Sequence, residues 1–261
     1  MAGFEAAILD VDGVLVDSPH ERAWRAALQE LMETSWHSIR ERTTYSPARF
    51  TAELYHAEMS GKPTSSGALA VLEYFKVPGA AERIEQYAKH KQRIVDEVLA
   101  AKGVTAYPDA LRFVLAIRDA GILVCAASSS KNAGRLLEQI RLDVFAEDEG
   151  LNYDFLRPNL SLLEFFDADV SGRDFAQGKP DPEIFVTAAQ ELGVPPSACF
   201  VVEDAVSGIQ AAKAGEMAAL GLARAVDVDV LAAAQADLVV TSLDDVSLSA
   251  LFKGRLLRIA S

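Results

Sequence analysis

Cysteine is nearly absent from this chain. Only Cys125 and Cys199 occur in 261 residues, each inside an apolar run that reads as a core strand. A disulfide framework is therefore excluded, buried free thiols are expected, and a reducing cytoplasmic setting fits. Positive charge is also short: 25 Lys and Arg stand against 38 Asp and Glu, a formal net charge of −13. That balance argues against a nucleic-acid backbone or an anionic membrane as the main partner. No apolar stretch is long enough to span a bilayer. The first residues lack the basic segment and long apolar run of a signal peptide. Internal repeats and low-complexity tracts are missing as well. What is present is 50% hydrophobic residues in a chain long enough for a sizeable core and two domains.

The chain is organised around residues 6–18, A-A-I-L-D-V-D-G-V-L-V-D-S. The apolar run into Asp10 reads as a short strand buried on both faces. Such a strand ends at the edge where open parallel sheets bind ligands. Asp10 and Asp12 are two apart and would share a strand face, but Gly13 marks a turn that can aim them at different parts of one ligand. Two acids here cost repulsion and desolvation. A divalent cation such as Mg2+, which takes hard oxygen ligands, would offset that cost. Taken alone, D-x-D-G also reads as a solvated acidic turn.

The remaining text alternates. A helical stripe over residues 20–32 follows Ser18-Pro19, with Ser18 as the expected cap and Pro19 in the first turn. Further helices are expected over 48–59, 66–75 and 80–101, with a polar loop S-G-K-P around Lys62. From residue 104 the pattern becomes strand and helix in turn. Strands are expected near 122–127, 166–170, 198–202, 217–223 and 236–240, and helices near 109–120, 182–192 and 206–214. The expected fold is α/β: a doubly wound parallel sheet built from 1–17 and 104–261, interrupted by a four-helix cap over 18–103. The segment 147–163 stands apart as an inserted loop or short helix, expected to be a packed loop, with a partner surface as the alternative.

Four pieces of text occur in order: D-V-D-G-V-L-V-D-S, S-S-S-K-N at 128–132, G-K-P-D-P-E-I-F at 178–185, and V-V-E-D-A-V-S-G-I-Q-A-A at 201–212. Together they resemble the haloacid dehalogenase superfamily of phosphotransferases, with wording nearest to the branch of β-phosphoglucomutase and its phosphatase relatives. The resemblance covers most of the core and is weak over 34–103 and 147–163. It implies that Asp10 is a nucleophile toward phosphorus and Asp12 a general acid and base. It also implies that Ser128 and Lys179 hold the phosphate, and that Mg2+ is bound by Asp10, Asp12, Glu203 and Asp204. Ser129, Ser130, Lys131 and Asn132 would contact the rest of the substrate. A serine hydroxyl and open N–H groups at a helix start make a phosphate cradle. The same text also reads as a routine serine-rich cap.

His20 and Trp24 resemble the H-x-x-A-W that follows the first motif in β-phosphoglucomutase, which implies a substrate-side His20. The plain readings are an exposed helix residue for His20 and cap core for Trp24. Lys62 resembles a G-K-P stretch of phosphatase relatives, implying a substrate contact; it reads equally as a turn lysine. The G-x-S-R type of segment that holds a second phosphate in β-phosphoglucomutase is missing from the cap. The resemblance therefore points to a Mg2+-dependent sugar-phosphate phosphatase, with β-phosphoglucomutase as the alternative. A silent phosphate-binding regulator and a dehalogenase are further alternatives, both disfavoured by the intact Asp10, Asp12, Lys179 and Asp204. The expected partner is a small phosphorylated metabolite, with no nucleic acid or membrane, on a monomer or weak dimer.

Overall fold

A computed structural model describes residues 3–101, 103–224 and 228–259. The chain opens with β1 (Ala6–Leu9) and β2 (Val16–Asp17) and then runs through α1 (His20–Glu33), α2 (Ala52–Glu58), α3 (Thr64–Tyr74) and α4 (Ala80–Ala100). It returns in β3 (Thr105–Ala106), α5 (Pro108–Asp119), β4 (Leu123–Ala126), α6 (Ala133–Gln139), α7 (Leu142–Asp148), α8 (Leu162–Phe165) and β5 (Ala168–Asp169). It ends with α9 (Glu183–Leu192), β6 (Cys199–Glu203), α10 (Val206–Ala214), β7 (Ala218–Leu222), α11 (Val228–Ala233), β8 (Leu238–Val240) and α12 (Leu248–Leu251). Two compact units result, one of Met1–Asp17 with Thr105–Ser261 and one of Ser18–Val104. The antiparallel pair β2–β3 joins the outgoing and returning passages, with Asp17 opposite Thr105.

The first unit carries a six-stranded sheet in the order β5-β4-β1-β6-β7-β8. All its pairings are parallel. β1 is central, and its four residues are fully buried. Ile8 lies between Cys125 and Val201, and Leu9 between Ala126 and Val202. An apolar run without alternation is what a strand covered on both faces requires. From β1 the order proceeds one way to β4 and β5 and the other way to β6, β7 and β8, so the strand order reverses there. Such a reversal opens a crevice beyond the carboxyl ends of the strands. Phe185, Ala188 and Ala189 of α9 and Ile209, Ala211 and Ala212 of α10 pack with the strands in one core. Fully burying a side chain such as Phe185 stabilises by roughly 2–3 kcal/mol. Both cysteines are buried and free.

The second unit is helical and has its own core of Trp24, Leu28, Leu31, Trp36, Phe50, Phe75 and Tyr87. Trp24 therefore is core of this unit. The Tyr87 ring meets Trp24 edge-on at 4.5 Å, and its hydroxyl donates to the Trp24 carbonyl at 3.0 Å.

Some local expectations are corrected. Ser18 does not cap α1; Pro19 occupies that position with no side-chain hydrogen bond. The helix expected over 48–59 divides into a short 3-10 turn, Pro47–Arg49, and α2. The Thr51 hydroxyl causes the break by accepting from the Leu54 N–H at 3.3 Å as a new N-cap. The insertion after α7 folds as a packed loop. Ser161 and Glu164 close it with a reciprocal capping box. The Arg118 guanidinium lies 4.9 Å from the Phe165 ring centre and 5.9 Å from that of Phe155.

Candidate active site

Every element that ends at the crevice contributes a polar residue. Asp10 directly follows β1, Ser128 lies two residues beyond β4, and Glu203 and Asp204 close β6. Lys179 comes from the loop before α9, where the Lys179–Pro180 peptide is cis. Each of these residues is buried.

Lys179 is the hub. Its ammonium donates to Asp10 Oδ1 at 2.6 Å and to Glu203 Oε1 at 2.5 Å, with the Ala127 carbonyl at 3.4 Å. The Phe185 ring centre is 4.9 Å away. An ammonium out of water persists only when paired and hydrogen-bonded, and here it is. Desolvation pulls the Lys179 ammonium down, but Asp10 and Glu203 outweigh it and hold the group well above its ordinary value. The second oxygen of Glu203 accepts from the Ala205 N–H at 3.1 Å, so both its oxygens are engaged. Gly208 makes room for that carboxylate: a Cβ there would lie 1.9 Å from Glu203 Cδ.

The acid side chains outnumber this cation. Burial pushes the Asp10 carboxyl up to about 8; Lys179 opposes the shift, and Glu203 and Asp12 add to it. Burial also drives Asp204 well above the usual carboxylate range, with Glu203 and Asp10 reinforcing and Lys179 opposing. Gly13 brings the loop after Asp12 against Asp204. It has φ +84°, and a Cβ there would sit 2.0 Å from Asp204 Oδ2. Glycine is needed on both counts.

This surplus of buried negative charge fits a further cation bound through hard oxygens. Among the described residues, no three His, Cys, Asp or Glu side chains converge as a complete metal cage. Asp10 and Asp204 are hard carboxylate donors of the kind Mg2+ takes.

Asp12 is anchored from the side. The Ser128 hydroxyl donates to Asp12 Oδ2 at 3.1 Å and accepts from the Ser130 N–H at 3.1 Å. The Ser130 hydroxyl in turn accepts from the Asn132 N–H at 3.2 Å, and Asn132 precedes α6 as its N-cap. Residues 128–132, Ser129 among them, thus form a tight serine-rich turn with Ser130 at its centre. The loop after β5 braces it: Ser171 Oγ accepts from the Ser128 N–H at 3.1 Å, and the Gly172 N–H donates to the Ser128 carbonyl at 2.8 Å. Lys131 reaches outward to Asp174 at 2.5 Å, in an exposed ion pair.

The two residues expected from the second unit are placed within it. His20 is buried, not an exposed helix residue. The Lys62 ammonium donates to the Ala57 carbonyl at 3.2 Å, at the end of α2, as a turn lysine does. Sequence reasoning passed over Lys91, a buried cation on α4 with its ammonium 5.4 Å from the Trp24 ring centre. It looked for cap cations in loops, and a lysine inside a charged helix carries no motif. Ser171, a loop serine after β5, lies outside the four motifs and carries no sequence signal.

Residues 4–215 match the family of haloacid dehalogenase-like hydrolases. A β-phosphoglucomutase of Mycobacterium bovis is 30% identical over 254 residues, spanning 91% of this chain and 89% of that protein. A phosphorylated carbohydrates phosphatase of Thermotoga maritima is 28% identical over 210 residues, 80% of each chain. Among solved structures, a β-phosphoglucomutase from the hyperthermophile Pyrococcus sp. Strain ST 04 superposes with a TM-score of 0.67 at 28% identity, covering 95% of this chain and 97% of that one. The crevice at the strand-order reversal, its four motifs and this likeness along nearly the whole chain agree: the protein belongs to the haloacid dehalogenase-like hydrolases, in their β-phosphoglucomutase-like branch.

Proposed function

We propose that this protein is a Mg2+-dependent phosphatase of small sugar phosphates that works through a phosphorylated Asp10. One observation carries the reading: a buried ammonium, Lys179, is shared between Asp10 and Glu203 beside Asp12, which Ser128 holds. A binding protein would have no use for an anchored acid next to a buried nucleophile.

Asp10 attacks phosphorus, and the bond from phosphorus to the ester oxygen breaks. Asp12 gives its proton to the departing oxygen. Water then attacks the same phosphorus and passes a proton to Asp12, which frees inorganic phosphate and restores the Asp10 carboxylate. Lys179 and the Ser128 hydroxyl face the phosphate oxygens, where charge spreads in the transition state. Glu203 keeps the Lys179 ammonium in place. Asp10, Asp204 and the main-chain carbonyl of Asp12 would hold Mg2+. When bound, that ion supplies charge neutralisation at the phosphate oxygens. Ser129, Ser130, Lys131 and Asn132 border the substrate side.

The β-phosphoglucomutase named above favours a second reading, in which a sugar hydroxyl replaces water as acceptor. The missing G-x-S-R segment and the Thermotoga phosphatase favour water. Buried free thiols suit a cytoplasmic enzyme, and no helix of the described residues is long and apolar enough to cross a membrane.

The test is incubation with Mg2+, β-glucose 1-phosphate and a trace of glucose 1,6-bisphosphate, reading free phosphate and glucose 6-phosphate, with Asp10→Asn as control. Free phosphate supports hydrolysis. Glucose 6-phosphate without free phosphate makes the protein a mutase. If neither forms there, and no ester in a wider sugar-phosphate screen turns over, the catalytic reading fails.

A further inference from the structure

A second, part-buried ion pair lies in the same unit, outside the motifs. Arg224 follows β7 by two residues, and Asp109 sits in the first turn of α5. The Arg224 guanidinium donates to both Asp109 oxygens, at 2.8 and 2.9 Å. Asp109 Oδ2 also accepts from the Leu243 N–H at 2.8 Å and the Ser242 hydroxyl at 3.2 Å. The same guanidinium lies 3.9 Å from the Tyr107 ring centre.

These contacts lead to the hairpin that follows Asp12. Its inner hydrogen bonds are local: Gly13 N–H to the Val16 carbonyl at 2.9 Å, and the Leu15 and Val16 N–H groups to the Val11 carbonyl at 2.9 and 3.0 Å. Its two middle carbonyls point to the pair. The Val14 carbonyl is 3.5 Å from the Arg224 guanidinium, and the Leu15 carbonyl accepts from the Tyr107 N–H at 3.0 Å. The Asp12 carboxylate accepts from the Ser128 hydroxyl. Its main chain runs directly into this hairpin at Gly13, so holding the hairpin holds the backbone from which the carboxylate projects.

We infer that Arg224, seated by Asp109 and stacked on Tyr107, is a positioning residue: it holds the Gly13–Leu15 hairpin and through it the orientation in which Asp12 transfers its proton. This rests on the acid–base role proposed for Asp12. Lysine cannot replace the arginine in full, because it lacks both the planar fork and the stacking face.

The readout is leaving-group dependence, which general fold damage would not move. An aryl ester such as 4-nitrophenyl phosphate leaves without needing a proton, whereas an aliphatic sugar phosphate needs one. The experiment measures kcat for both esters in the wild type, Asp12→Asn, Arg224→Met, Arg224→Lys and Asp109→Asn, with a thermal melt of each. Asp12→Asn should lower the sugar-phosphate rate about 10²-fold or more beyond its effect on the aryl ester. Arg224→Met should shift that ratio in the same direction by about tenfold, Arg224→Lys by less, with KM for the aryl ester little changed. If Arg224→Met does not fold, the ratios of Arg224→Lys and Asp109→Asn decide. A shifted ratio in Asp12→Asn but an unchanged one in the folded Arg224 and Asp109 variants overturns the positioning role alone. An unchanged ratio in Asp12→Asn overturns the acid–base reading and this inference with it.

Discussion

Two ion-pair clusters, one buried and one part-buried, occupy one unit and are built on opposite terms. Around Lys179, one ammonium is shared by Asp10 and Glu203, the carboxyl groups of Asp12 and Asp204 add to the acidic side, and burial lifts Asp10 to about 8. Around Arg224, one guanidinium meets one carboxylate whose acceptor positions are filled by Arg224, Leu243 and Ser242. Burial alone would raise Asp109 too, but those hydrogen bonds prevail and hold it below the usual carboxylate value. In the balanced cluster the charges match and the Asp109 oxygens are engaged. The unbalanced one is short of positive charge, which the proposed Mg2+ would supply. The two clusters differ in charge balance as well as in burial.

The comparison can be broken at several points, the most damaging first. Lys179→Met strips the unbalanced cluster of its cation and leaves Asp10 and Glu203 buried and unpaired. It should destabilise by about 3–5 kcal/mol, seen in denaturant unfolding, and abolish phosphate release. Gly13→Ala forces a side chain into a left-handed backbone against Asp204. It should cost about 1–3 kcal/mol and weaken Mg2+-dependent thermal stabilisation.

Asp109→Asn tests the balanced cluster by pH. A carboxylate depressed in the fold contributes stability that is present above its unfolded pKa and lost as pH falls through the lower folded value. At neutral pH the variant should therefore be less stable by about 2 kcal/mol. The gap should close on acidification below the ordinary carboxylate range, in melts taken across that window. The smallest effect belongs to Asp174→Asn, which frees Lys131 from an exposed pair; a stability change within about 0.5 kcal/mol is expected.

The reactive cluster was legible in the sequence because each of its residues sits in local text: an acid at a strand end, a lysine before a proline turn, serines before a helix. The sheet was legible for the same reason, since buried parallel strands read as short apolar runs. The supporting cluster was not. Asp109 and Arg224 are 115 residues apart and belong to no motif. Their meeting depends on strand order, which sends β7 away from β1 while α5 starts beside the hairpin that β1 feeds. Helix starts were read less well where a side chain competed for them, as at Thr51.

The most direct test of the central claim is acid-quenched peptide mass mapping of the protein during turnover with Mg2+ and a phosphate ester. Phosphate on the peptide carrying Asp10, absent from Asp10→Asn, is the expected result. Turnover that persists in Asp10→Asn, or that proceeds with no phosphate ever trapped on that peptide, would contradict it.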